Sequence, residues 1–257
     1  MRILLLTYIF ILLVQCNPVS VDDLRKETPV MIAVVPNGTS TNGIQFFVLQ
    51  DGESWGSPVT DASIAIARQN SSDAATLNYT EGNYVAAFPI EPGASYTLSG
   101  RVKGHDFTTE IAMPPALDFT IALNDTLIIN SSSTGSSIVI VTWTELDNEK
   151  YSYVVRMDCL EETPVEIPFT VPSGNFATNF SGPQVAAGII VSDTDFKYYG
   201  RHKLTVFAIP KSLESVFFYN AGDIRGLLTN GPDNILGIKG FATGVSKLET
   251  EFFLKPI

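Results

Sequence analysis

From Val30 to Met113 the apolar residues come in short runs, and every break between runs carries glycine, proline or asparagine. The runs are Val30 to Val35, Ile44 to Gln50, Ala62 to Arg68, Ala75 to Tyr79, Tyr84 to Ile90, Ser95 to Val102 and Phe107 to Met113. A stable helix needs a longer apolar stripe at helical spacing, whereas strands close after a handful of residues. The punctuation has a chemical reason. Asn37-Gly38, Glu81-Gly82-Asn83, Pro92-Gly93 and Lys103-Gly104 put glycine where a tight turn asks for positive φ. In Ala62-Ser63-Ile64-Ala65-Ile66-Ala67-Arg68 strict alternation sends Ile64 and Ile66 to one face, which is the expected core face. Seven such strands at this spacing describe a β-sandwich.

Pro114-Pro115 follows the last of these runs, and two successive prolines stiffen a chain while removing two backbone donors. They mark the domain boundary, and the segment from Pro29 to Met113 is expected to fold as a unit with its own core. A second β set then runs through Phe119 to Ile129, Ser137 to Glu145, Tyr151 to Met157, Val165 to Val171, Gln184 to Ser192 and Lys203 to Ile209. It ends with a strand from Glu249 to Leu254. Leu213, Val216, Phe217 and Ile224 are closer to helical spacing, which predicts one short helix between Lys211 and Leu228. The fold class is therefore all-β, with two consecutive β-sandwich-like domains and one short helix in the second.

The first sixteen residues follow other rules. A cationic Arg2, an apolar run from Ile3 to Val14, and Cys16 form an export signal too short to span a bilayer as a helix. Cys16 stands where cleavage and lipidation of a bacterial lipoprotein take place, although Gln15 replaces the small residue usual before such a cysteine. The expected organisation is a signal peptide at 1–15, a lipidated tether at 16–28, an N-terminal β-sandwich at 29–115 and a C-terminal β domain at 116–257. Cys159 is the only other cysteine, so no disulfide framework exists and apolar burial supplies the stability. With 16 basic residues against 27 acidic ones, the chain repels phosphate backbones, and nucleic acid is not an expected partner.

Several segments, in order, resemble the Bacteroidota lipoprotein family called domain of unknown function 4249. They are Gly56-Ser57-Pro58-Val59-Thr60-Asp61-Ala62, Glu81-Gly82-Asn83-Tyr84, Gly93-Ala94-Ser95-Tyr96-Thr97-Leu98, Gly104-His105-Asp106-Phe107 with Met113-Pro114, and Asn234-Ile235-Leu236-Gly237-Ile238-Lys239-Gly240-Phe241. The resemblance covers nearly the whole mature chain. It implies an N-terminal immunoglobulin-like or transthyretin-like sandwich, a second β domain, and an outer-membrane lipoprotein associated with a TonB-dependent transporter. It implies no established reaction.

The residues offer little catalytic chemistry. Gly52-Glu53-Ser54-Trp55-Gly56 matches the hydrolase pattern Gly-x-Ser-x-Gly, but that chemistry needs a strand-to-helix turn, and here a further strand follows. His105 and His202 are the only histidines, and both are expected to be exposed. No metal or cofactor is expected. Asp193-Thr194-Asp195 is too short a ligand set for calcium, and Asp158, Glu161 and Glu162 around Cys159 read as an acidic loop that disfavours the thiolate. Trp55, Tyr198 and Tyr199 are the candidate binding residues, with rings suited to stacking on a glycan or peptide, and Trp143 is expected in the core. Together these features predict a non-enzymatic outer-membrane or cell-surface lipoprotein, held by lipid at Cys16 and acting as an accessory or ligand-binding subunit. A pilin-like structural subunit or adhesin is the first alternative. Sequons at Asn37, Asn70, Asn78, Asn124, Asn130 and Asn179 make a secreted glycoprotein the second.

Overall fold

The computed structural model describes residues 28–41, 43–49, 56–129, 137–167, 178–192, 195–214 and 234–256. Cys16 and its tether, Ser54, Trp55, Asp193, Thr194 and most of the segment expected to be helical lie outside these residues. Of that segment the described part is a 3-10 turn at Lys211–Leu213.

The first unit is a sandwich. One sheet has the order β6 (Asn83–Val85), β5 (Ala74–Thr80), β4 (Ser63–Arg68), β7 (Ser95–Val102), β8 (His105–Ala112), all antiparallel. Facing it are β1 (Thr28–Pro36), β2 (Ile44–Leu49) and the two-residue β3 (Ser57–Pro58). Met31, Ala33 and Phe46 from this side meet Ile64, Ile66, Leu98 and Ile111 from the other. Ile64 and Ile66 are 1% and 0% exposed while Ser63 and Ala65 face out, as the alternation requires.

The second unit stacks β9 (Phe119–Ile121), β11 (Ser137–Trp143) and β15 (Gly188–Ser192) on a larger sheet. That sheet contains β10 (Thr126–Ile129), β12 (Tyr151–Cys159), β13 (Val165–Glu166), β14 (Thr178–Gln184) and β16 (Tyr198–Pro210). The run expected as one strand from Phe119 to Ile129 is two. β9 pairs with β11 in one sheet and β10 with the last strand in the other, so the chain switches sheets at Asn124-Asp125.

The last strand, β17 (Lys239–Pro256), is 18 residues long and serves both units. Its first part pairs in parallel with β1, from Val30 opposite Lys239 to Pro36 opposite Val245. Its second part pairs antiparallel with β16, from Ala208 opposite Ser246 to Gly200 opposite Leu254. One nine-stranded sheet therefore runs through both sandwiches. The first core is correspondingly not built from residues 29–115 alone, because Ile235, Ile238 and Ala242 belong to it. On the opposite face of the long sheet a third cluster joins the units: Phe241 and Val245 of β17 with Val154, Ile209 and Leu213, packed by Ile32 and Val34. Each such side chain contributes about 1.5–3 kcal/mol on full burial.

Asn37 completes the join where β1 ends. Its backbone N–H donates to the Val245 carbonyl at 3.2 Å. Its side-chain Oδ1 accepts the Lys247 N–H at 2.5 Å, and Nδ2 donates to the Lys247 carbonyl at 3.4 Å. Ser246 Oγ donates to the Pro114 carbonyl at 2.6 Å, so the diproline link is fastened to the same strand.

One glycine permits the parallel pairing with β1, and a second lets the segment before β17 approach β8. Gly240 has φ +121°, and a Cβ there would overlap the Met31 carbonyl oxygen, while Gly237 at φ +100° would overlap that of Asp106. Gly82, at φ +88°, has open space where its Cβ would stand. Gly82→Ala is expected to cost about 1–2 kcal/mol, the conformational penalty alone. Gly240→Ala should cost about 3 kcal/mol or more, because backbone must separate as well. Urea unfolding midpoints of the two variants check the difference; equal losses would contradict the close approach at Gly240.

Candidate functional site

Tyr198 and Tyr199 open β16, where β13 crosses it with Val165 opposite Tyr199 and Glu166 opposite Tyr198. Both rings are half-buried; Tyr199 leans on the second core. The Lys197 ammonium sits 5.2 Å from the Tyr198 ring centroid and 3.8 Å from Glu166 Oε1. Val165 beside them is 65% exposed. This tip offers a ring face, a cation, a carboxylate and an apolar edge, the set that stacks on and hydrogen-bonds a glycan or peptide. The third candidate, Trp55, lies outside the described residues, so the tyrosines stand here as a pair.

Just behind the tip, the structure corrects an expectation. His202 is 3% exposed rather than on the surface. Its ring stacks on Phe252 at 5.6 Å and 20°, and meets Phe196 edge-on at 5.3 Å. Nδ1 lies 3.0 Å from the Gly200 carbonyl, which only accepts, so the neutral ring carries its proton there. Burial pushes the His202 pKa below its ordinary value, against the Gly200 hydrogen bond and the nearby Glu161 carboxylate. Strand parity was the missed signal, since Leu204 and Val206 of β16 face the core and His202 shares their side.

The neighbouring acids are engaged separately. Glu161 Oε1 accepts the Arg201 N–H at 2.6 Å, and Arg156 Nε meets Asp158 Oδ2 at 2.8 Å. Cys159 pairs across the strands with His202, and burial raises its thiol pKa above the usual value, against the Glu161 backbone hydrogen bond and with the Glu161 carboxylate charge adding to the rise. A thiol so held is protonated near neutrality and a poor nucleophile. Asp195 Oδ2 accepts the Ser192 N–H at 2.8 Å, which spends that carboxylate on a turn. His105 is exposed in the β7–β8 hairpin of the other sandwich. Among the described residues no group of three or more His, Cys, Asp or Glu is placed to hold a metal.

The segments that carry the family resemblance converge physically. Tyr84 Oη donates to the Val59 carbonyl at 3.0 Å and accepts the Ala62 N–H at 2.8 Å, joining the Glu81–Tyr84 turn to the Gly56–Ala62 segment. Tyr96 Oη accepts the Glu91 N–H at 2.7 Å, and Tyr153 in the second unit does the same for Leu146 at 2.7 Å. These are the backward ties of a sandwich tyrosine corner. Asn234 closes on β17 through both amide atoms, Nδ2 to the Ala242 carbonyl at 2.6 Å and Oδ1 from its N–H at 2.9 Å. The segments thus hold the two sheets of the first unit and dock β17.

No protein-family model matches this chain, and no curated protein does. Among solved structures, the FN1–FN3 domains of chicken CNTN1 align with 89% of this chain at 11% identity and a TM-score of 0.20. The chain spans 66% of that structure, a little under two thirds of its length. The titin Ig tandem A164–A165 aligns with 91% of this chain and 95% of its own at 8% identity and a TM-score of 0.21. At such scores these overlays carry no argument, and the two-sandwich architecture stands on the strand pairing itself.

The buried histidine sets a pH window. Unfolded His202 takes up a proton near its ordinary pKa of 6.5, while the folded site resists it to lower pH. Stability is therefore complete above about pH 6.5 and falls as pH drops toward the folded pKa. His202→Phe, which keeps the stacking on Phe252, is expected to flatten the loss of urea midpoint between about pH 7.5 and 5.5. An unchanged slope would contradict the burial of a neutral imidazole.

Proposed function

We propose that this chain is a non-enzymatic, lipid-anchored envelope protein that presents a binding tip away from the membrane, as an accessory or ligand-binding subunit beside an outer-membrane transporter. The observation that carries the reading is the polarity of β17. The tether enters β1, whose Val30 lies opposite Lys239 at the start of β17. Tyr198 and Tyr199 precede Gly200, which lies opposite Leu254 at the far end. An 18-residue strand is roughly 55–60 Å long if straight, so the tyrosine tip is held distal to the anchor. A rigid two-sandwich body between lipid and tip suits display. The transporter as partner rests on the family resemblance, and a glycan or peptide as ligand rests on the ring, cation and carboxylate at the tip.

The pilin alternative requires a groove that a neighbour's strand completes. Here the edge of β1 is filled by the chain's own β17, which favours the accessory role. The glycoprotein alternative draws on sequons of unequal standing. Asn70, Asn78 and Asn124 are exposed, whereas the Asn37 amide is bound to Lys247. The histidines, one on a surface hairpin and one under Phe252, sit in different sandwiches and form no common acid–base pair.

Labelling cells with an alkyne fatty acid should tag the wild-type chain and not Cys16→Ser. Detergent extraction of the tagged protein should then bring down a β-barrel transporter. The double change Tyr198→Ala and Tyr199→Ala should leave that association and the lipid label intact while reducing retention on a glycan or peptide array by about tenfold or more, the loss of one or two stacking contacts. Equal lipid labelling of wild type and Cys16→Ser removes the anchor from the proposal, and equal array binding removes the tip.

A further inference from the structure

The Asn37-Gly38 step, at the point where the two sandwiches are fastened together, carries a chemistry that the proposed function does not use. An asparagine followed by glycine is the sequence most prone to deamidation, because no Cβ on the following residue hinders its backbone nitrogen from reaching the side-chain carbonyl carbon. In this fold both reacting groups are occupied. The Asn37 amide is held by the two backbone groups of Lys247, through Oδ1 at 2.5 Å and Nδ2 at 3.4 Å. The Gly38 N–H donates to the Ile90 carbonyl at 3.0 Å, and the Gly38 carbonyl accepts the Ile90 N–H at 2.8 Å.

We infer that Asn37 is a deamidation site protected jointly by its bonds to β17 and by the Gly38–Ile90 pairing beside them, so that the modification marks molecules in which this corner of the join has opened. In an opened molecule the deprotonated Gly38 nitrogen attacks Asn37 Cγ, the Cγ–Nδ2 bond breaks, and Nδ2 leaves as ammonia, giving a cyclic imide. Solvent water then adds across one of the two imide C–N bonds and leaves aspartate or isoaspartate at position 37. One water is consumed and one ammonia released, with no change of oxidation state.

The product does not close the join again in the same way. An aspartate keeps an acceptor for the Lys247 N–H, but an anionic oxygen then faces the Lys247 carbonyl where Nδ2 had donated. Isoaspartate adds a methylene to the main chain between the Cα of residue 37 and the Gly38 nitrogen, which shifts Gly38 out of its pairing with Ile90. The opened state is thereby made permanent, at a contact spanning 210 residues of sequence. Lys247 Nζ is turned to Glu249, at 3.1 Å, so its charge is already balanced and offers the new carboxylate little compensation.

The test uses the whole mature chain at mildly alkaline pH, with peptide mapping by mass to follow residue 37, beside a synthetic peptide of residues 34–41. The folded chain is expected to convert at least about tenfold more slowly than the peptide, and the rate should rise with urea below the global unfolding midpoint. The Asn37→Asp chain is expected to unfold at lower urea than the wild type. Conversion of the folded chain at the peptide's rate would overturn the protection, a rate independent of urea would overturn the link to opening, and an unchanged midpoint for Asn37→Asp would overturn the latch. The wild-type rates stand alone as a test should that variant fail to fold.

Discussion

The hydrogen-bond ladder of β17 is the constraint on which the remaining structure depends. Sheets of separate domains ordinarily end at their own edges, and an edge strand exposes unpaired donors and acceptors. Here the edge of β1 is closed in parallel by one part of a strand whose other part lies beside β16. Asn37 extends the ladder by one residue with its side chain, and Asn234 serves the opposite polar groups of Ala242. The apolar cluster of Phe241, Val245, Val154 and Ile209 then covers the joint on the other face. Two cores therefore sit in one hydrogen-bonded frame, which the diproline link alone would not provide.

That frame sorts the chemistry-bearing residues by position. His202 serves as an aromatic plug between Phe196 and Phe252, and its proton on Nδ1 is committed to a carbonyl. Asp158, Glu161 and Asp195 each hold a separate cation or backbone group. Trp143 is buried edge-on against Tyr153 at 5.4 Å, with its indole Nε1 unpaired, a local cost carried by the surrounding packing. Polar residues spent in these ways stabilise the scaffold.

Much of this was legible in the chain. Alternation at Ile64 and Ile66 identified a core face, and the Lys103-Gly104 and Glu81-Gly82-Asn83 turns connect the strands expected of them. Trp143 is 2% exposed, as its mid-strand place suggested. The first part of β17 was not legible, because Lys239-Gly240-Phe241-Ala242-Thr243-Gly244-Val245 has two glycines and low strand propensity. Its pairing is decided by space: only a residue without a side chain lets the backbone approach Met31. The burial of His202 was obscured by its neighbours Arg201 and Lys203, which point to the other face of the same strand. For the candidate tip, the tyrosines were visible as rings, but the carboxylate and apolar edge beside them come from the pairing of β13 with β16, which no local pattern announces.

The pairing of β1 with β17 makes the first sandwich wait for residues far along the chain. A protein synthesised or threaded through a membrane from its N-terminus presents β1 at the outset, with apolar residues on both faces and one edge waiting. Among the described residues it is β17 that pairs along that edge. The first sandwich is thus held in suspense until the eighteen residues of β17 arrive, and their arrival closes both halves at once. Without β17, the first strand keeps an apolar, unpaired edge, the kind of surface on which another chain can add a strand.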